Sequence, residues 1–200
     1  MPLNLESLRE QLKGKKFSPL FATVSGAHLY GFESADSDID LRGTFVLPLE
    51  QIVGRTTGPE TVNQDYWHDG IEMDLVCHEI LKFCRLLSKR SGEVLEQLYS
   101  PLVVWPSPEL DELRELARPL IVPHFYYHYR GFLGNQLKFV DREGSTVKEM
   151  LYAYRVALTG IHLLRTGQLE ANLSHLLPDY PQPGVADLID MKRAQQEKTP

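Results

Sequence analysis

The stretch SGAHLYGFESADSDIDLRG, residues 25–43, decides the fold. Just before it, residues 19–25 are apolar and partly β-branched and then meet Gly26, which reads as a buried strand running into a turn. At its far end, residues 38–47 alternate, with Asp38 and Asp40 on one face and Ile39 and Leu41 on the other, and so predict a second strand. The alternation returns in residues 71–77, IEMDLVC, where Ile71, Met73 and Leu75 share one face and Glu72, Asp74 and Val76 the other, a third strand. Residues 51–70, rich in Gly, Thr, Asn and Asp, read as an extended loop between the second and third strands.

Helical periods surround these strands. Leu3, Leu5, Leu8 and Leu12 predict a short amphipathic helix that ends by Gly14. Ile80, Leu81, Cys84 and Leu87 form the apolar stripe of a helix over residues 78–90, and a second helix covers 94–99. Pro101, Pro106, Pro108 and Pro119 punctuate a connector, which holds a short helix with Ser107 as N-cap and Pro108 at its first position. From His124 the pattern is helical to about Phe139. A further helix over 146–166 is opened by the capping pair Thr146 and Glu149 and closed by Gly167. The tail beyond Pro178 is polar and proline-rich and is expected to be partly disordered. The expected fold is α+β, a small mixed sheet bearing the acids with a helical C-terminal region. It divides into a core at 1–100, a proline-rich connector at 101–122 and a helical region at 123–200.

Composition narrows the classes. With 200 residues, 42% hydrophobic and 24% charged, the chain suits a globular protein rather than a fibre, a disordered tail or a disulfide framework. No segment approaches the roughly 20 apolar residues of a spanning helix, and residues 1–16 carry acids where a signal peptide would be apolar, so a cytoplasmic protein with no membrane partner is expected. Cys77 and Cys84, seven apart in a helix-like stretch, read as packed thiols; with His78 they lack the tight spacing of a zinc site. The net charge of −6 is concentrated in residues 1–100, where 10 Lys/Arg face 15 Asp/Glu, against 11 and 12 in the second half. That distribution argues against broad electrostatic coating of nucleic acid, yet leaves room for polyanions held through divalent cations.

The chemistry lies in the quoted stretch. Gly26 lets another group approach the backbone closely and, if a short helix begins there, aims N–H groups at an anion such as a triphosphate. Asp38 and Asp40, with Cα atoms roughly 6–7 Å apart on one strand face, can converge on hard cations. Glu72 or Asp74 on a neighbouring strand would complete a site that activates an attacking oxygen and stabilises a leaving one. An EF-hand reading starting at Asp36 fails, because Leu41 and Leu47 stand where glycine and glutamate are required. His28 suits a phosphate contact or a packed turn, and Arg42 suits an ion pair with a neighbouring carboxylate. The aromatic run FYYHYRGF, residues 125–132, suits a stacking surface or, more simply, core packing.

The spacing of Gly26, Gly31 and the Asp38-Ile39-Asp40 pair resembles the signature of the DNA polymerase beta nucleotidyltransferase superfamily, a glycine turn followed about a dozen residues later by a D-x-D strand. With SGAHLYGF, DSDIDLRG and VLEQLYSP, the sequence is similar to a bacterial and phage group of predicted nucleotidyltransferases linked to RNA repair. The resemblance implies transfer of a nucleoside monophosphate from a nucleoside triphosphate (NTP) such as ATP to a hydroxyl, an RNA 3′ end being the favoured acceptor. It also implies Mg²⁺ or Mn²⁺ held by Asp38, Asp40 and Asp74, and phosphates gripped at Gly26 and Ala27. The family's serine after the glycine is Ala27 here, so Ser25 or Ser37 would have to supply the hydroxyl. The family's helical half often binds base and phosphate, which points to Lys148, Tyr152 and Arg155 on one helix side. Ala27 in place of that serine favours the alternative, a catalytically silent nucleotide-binding or protein-interaction module that kept the fold.

Overall fold

A computed structural model of the chain describes residues 3–15 and 17–194. In chain order the elements are α1 (Leu5–Lys13), β1 (Pro19–Val24), α2 (Gly26–Tyr30), β2 (Ile39–Phe45), α3 (Leu49–Val53), β3 (Thr61–His68), β4 (Ile71–Glu79), α4 (Ile80–Ser88), α5 (Gly92–Tyr99), β5 (Val103–Trp105), α6 (Pro108–Ala117), α7 (Phe125–Val140), α8 (Val147–Thr166), α9 (Leu173–Leu176) and α10 (Val185–Ala194). The strands form a mixed sheet in the order β3-β4-β2-β1-β5, in which β2 and β4 run parallel and the other neighbours antiparallel. With the helical second half, this is the α+β architecture expected. A parallel pair needs a crossover, and here α3 and β3 supply it.

Two-residue alternation sorts the sheet's faces. Ile39, Leu41 and Phe45 of β2 and Met73, Leu75 and Cys77 of β4 pack under Leu8 and Leu12 of α1. The opposite face carries Asp40, Arg42 and Asp74, and beside them Phe21 of β1 packs with Phe83, Leu95 and Leu98 from α4 and α5, Phe125 and Tyr129 from α7, and Val156 and Leu163 from α8. A third cluster joins Leu29, Tyr30 and Phe32 to Leu151 and Leu158 of α8, Leu173 of α9 and Val185 and Ile189 of α10. Each such side chain contributes about 1.5–3 kcal/mol by leaving water. α8 therefore lies between two clusters, and hydrophobic packing crosses residues 100 and 122 without a break. The connector supplies the edge strand β5 and, through Leu110 and Ala117 of α6, part of the core.

The capping signals hold. Ser107 Oγ accepts from Leu110 N at 3.2 Å, and Thr146 and Glu149 form a reciprocal capping box that opens α8. Three expectations need correction. Residues 51–70 are not an extended loop: β3 pairs with β4 along its length, closed by Asp69 and Gly70 at φ 50° and 78°, the two positive values of a tight hairpin turn. The tail beyond Pro178 is ordered through Ala194, because α10 buries Val185 and Ile189; residues 195–200 lie outside the described residues. Cys77 and Cys84 do not share a helix, since the first lies buried in β4 and the second in α4.

Candidate active site

The site begins where β1 ends. Ser25 N donates to Asp40 O at 2.8 Å, extending the β1–β2 pairing by one residue, and the chain then turns through Gly26 at φ +61°. A Cβ at position 26 would lie 1.7 Å from Asp40 Oδ2, so glycine is required both by the backbone conformation and by the carboxylate against it. Ala27 turns its methyl into the apolar cluster with Leu29 and Phe32, where a serine hydroxyl would be buried. Of the hydroxyls that could replace it, Ser25 lines the cavity beside Asp40, whereas Ser37 is buried and bonded to Ser34 N and Ser34 Oγ, both at 2.9 Å.

Parallel register sets Asp40 of β2 directly beside Asp74 of β4. One nitrogen of Arg42 joins them, Nη2 lying 2.6 Å from Asp40 Oδ1 and 2.7 Å from Asp74 Oδ2, while Nη1 donates to the carbonyls of Leu41 and Asp74 at 3.0 and 2.8 Å. The ion pair expected of Arg42 is therefore a bridge between the acids. Burial pushes the Asp40 carboxyl up to about 6; Arg42 opposes the rise, and the charges of Asp38 and Asp74 add to it. Asp38 lies one residue before β2, outside the strand ladder, and its charge is felt by Asp40 and by His28. Burial lowers the His28 pKa, and the charges of Glu33 and Asp38 oppose it. Glu93 of α5 adds a further negative charge near Arg42. Asp65 of β3, placed opposite Asp74 by the hairpin register, continues the acidic row to the exposed edge of the sheet. Sequence reasoning missed Asp65 with its strand; Asp69-Gly70 between alternating stretches was the signal for it.

Asp40 and Arg42 open into a cavity of about 510 Å³ between the sheet and the helices. Its walls include Ser25 and Gly26, Glu93 of α5, His128 and Phe132 of α7, and Tyr152 and Arg155 of α8; Lys148 does not line it. Arg155 is fully buried, and its Nη1 donates to Glu96 Oε1 at 2.7 Å and Oε2 at 2.8 Å. Tyr30 and Tyr129 hydroxyls donate to the same carboxylate at 3.3 Å, and the guanidinium lies 3.9 Å from the centre of the Tyr30 ring. Burial alone would lower the Arg155 pKa, but Glu96 and the surrounding tyrosines hold it above the ordinary arginine value. Tyr152 packs edge-on against Tyr30 and Phe32. The aromatic run 125–132 is divided between core, where Phe125 and Tyr129 lie, and cavity wall, where His128 and Phe132 lie.

Among the described residues, no three His, Cys, Asp or Glu side chains form a ready-made metal cage. The donor chemistry nonetheless fits a hard divalent cation. Asp40 and Asp74 are carboxylates side by side, and the negative charge of Asp38 is felt at the same place.

The site thus joins a buried glycine turn to a strand carboxylate that is paired in register with an acid on a parallel strand. Residues 3–200 match RlaP, described as an RNA repair pathway DNA polymerase beta family. The chain belongs to the RlaP family. It is also similar to the uncharacterized protein MJ0002 of Methanocaldococcus jannaschii, 28% identical over 181 residues that cover 87% of this chain and 72% of that protein. The uncharacterized protein YcgL of Bacillus subtilis is 28% identical over 152 residues, 74% of this chain and 56% of its own length. The chain thus spans little more than half of YcgL. As an RlaP member it has a polymerase-beta-type relationship across nearly its whole length, helical half included. Among the described residues no helix is long and apolar enough to cross a membrane.

Proposed function

We propose that this RlaP protein transfers a nucleoside monophosphate from an NTP to a hydroxyl acceptor and releases pyrophosphate, with an RNA 3′ end the favoured acceptor in keeping with the family's description. The observation that carries the reading is the in-register pair Asp40–Asp74, of which Asp40 lies against Gly26 and lines a cavity of nucleotide size. The NTP lies in that cavity, its phosphates along Ser25 and Gly26 and its nucleoside toward Phe132 and Tyr152. The acceptor oxygen forms a bond to the α-phosphorus, the bond from that phosphorus to the bridging oxygen breaks, and pyrophosphate leaves with the electron pair. Asp74, less buried than Asp40, faces the acceptor side and takes the hydroxyl proton. Arg42 shifts from the carboxylates toward the phosphates and neutralises charge there. Asp38, Asp40 and Asp74 would hold Mg²⁺ or Mn²⁺, which supplies Lewis-acid polarisation of the phosphoryl oxygens when bound.

The test is incubation of the full chain with each α-labelled NTP, Mg²⁺ or Mn²⁺, and a mixed RNA pool. Label should appear on RNA, and both Asp38→Ala and Asp40→Asn should reduce transfer by about 1000-fold, the scale on which enzymes lose a central electrostatic contact. Nucleotide binding without transfer to RNA, protein or small hydroxylated compounds would instead identify a silent module, the alternative that Ala27 favours.

The Asp40 carboxyl also predicts two opposite pH trends. Mn²⁺ binding should weaken as pH falls through about 6, because a proton then competes for Asp40. Stability of the metal-free protein should move the other way. A carboxyl raised from 3.8 to about 6 on folding favours the fold below about pH 4 and loses that contribution as pH rises through about 6. Melting curves of wild type and Asp40→Asn between pH 4 and 7 measure this; parallel profiles would refute it.

A further inference from the structure

Asp38 has no strand ladder to hold it, since β2 begins at Ile39. It joins β2 to the segment 31–37, and that segment is fastened by the C-terminal part of the chain. Lys192 of α10 is only 1% exposed and donates from Nζ to Ser34 Oγ at 3.2 Å. Ser34 and Ser37 are themselves locked together: the hydroxyls lie 2.9 Å apart, Ser34 N donates to Ser37 Oγ at 2.9 Å, and Ser37 N donates to Ser34 O at 3.2 Å. Arg193 Nη2 donates to the Gly31 carbonyl at 2.7 Å. At Gly31, with φ +80°, a Cβ would meet Asn172 Oδ1 at 2.3 Å, so the chain just before α9 presses on the same turn.

Burying an ammonium is costly unless polar groups receive it, and an apolar side chain could fill the same space without that penalty. The hydrogen bond from Lys192 joins α10 to the serine pair. We propose that Lys192 and Arg193 are positioning residues for Asp38: the C-terminal helix clamps segment 31–37 and thereby sets the carboxylate that the next residue presents to the site. Neither side chain touches the reacting atoms. The inference deepens the nucleotidyltransferase reading and rests on it for its kinetic consequence, though the clamp itself is a separate physical claim.

The test uses the full chain with Arg193→Ala, Arg193→Lys and Lys192→Met. Amide hydrogen exchange over residues 33–38 should quicken at least about 10-fold in Arg193→Ala and Lys192→Met while β2 and β4 exchange as in wild type, as for local opening of one unit. Transfer should show kcat lowered by about 10–100-fold with KM for the NTP within about 2-fold, the pattern of a displaced catalytic group rather than a lost binding contact. Arg193→Lys, which keeps a donor for the Gly31 carbonyl, should recover most of the loss. Arg193 is exposed, so its variants fold even if Lys192→Met does not. Unchanged exchange at 33–38, or a lower melting temperature with kcat untouched at permissive temperature, overturns the proposal. If wild type transfers no nucleotide, the functional reading fails, and the exchange experiment alone then decides for or against the clamp.

Discussion

Replacing Gly26 with alanine is expected to leave a folded protein whose nucleotidyl transfer is at least about 100-fold slower, the cost of displacing a reacting group by about 1 Å. The new methyl would fall 1.7 Å from Asp40 Oδ2, so the carboxylate has to rotate or β2 has to retreat. Either movement also disturbs the guanidinium that joins Asp40 to Asp74 at 2.6 and 2.7 Å. The φ of +61° adds a backbone penalty of about 1–2 kcal/mol for any residue with a Cβ, modest beside the whole stability of a domain. Activity should therefore fall far more than stability does. Paired measurements of kcat/KM and urea midpoint check this, and a variant keeping more than a tenth of wild-type activity would show that Asp40 need not stay where the glycine puts it.

The second large effect is on stability. Glu96→Ala should cost about 3–5 kcal/mol, the range for breaking a buried ion pair from one side, because fully buried Arg155 then keeps its charge without a counterion and two tyrosine hydroxyls lose their acceptor. Removing both charges at once, as in Glu96→Leu with Arg155→Met, should recover most of that loss, since an apolar pair avoids the desolvation that the ion pair must overcome. Urea unfolding of the single and double variants forms the cycle. A single-variant loss below about 1 kcal/mol, or a double variant no better than the single, would contradict this account of the cavity floor.

The sequence and the structure agree most closely where local rules dominate. Alternation in β2 and β4 foretold which side of each strand bears acids, and Ser107, Thr146 and Glu149 announced helix starts because capping is a short-range interaction. β3 was obscured because it is an edge strand whose outward residues Asn63, Gln64 and Asp65 are solvated, so its composition imitates a loop. α10 was obscured for the opposite reason: Lys192 looks like a solvent residue, and only tertiary partners far back in the chain account for its burial. The same limit applies to Arg155. Its place on a helix face was legible, but its engagement by Glu96, 59 residues earlier, was not.

The Arg155–Glu96 contact ties α8 to α5 directly beneath the cavity, and so rivets the helical half to the half that carries the acids. Jaws joined at their root have little freedom to swing. On the proposed reading, a nucleotide slides into a slot already cut to width, and discrimination among bases falls to the contour of the walls beside Phe132 and Tyr152.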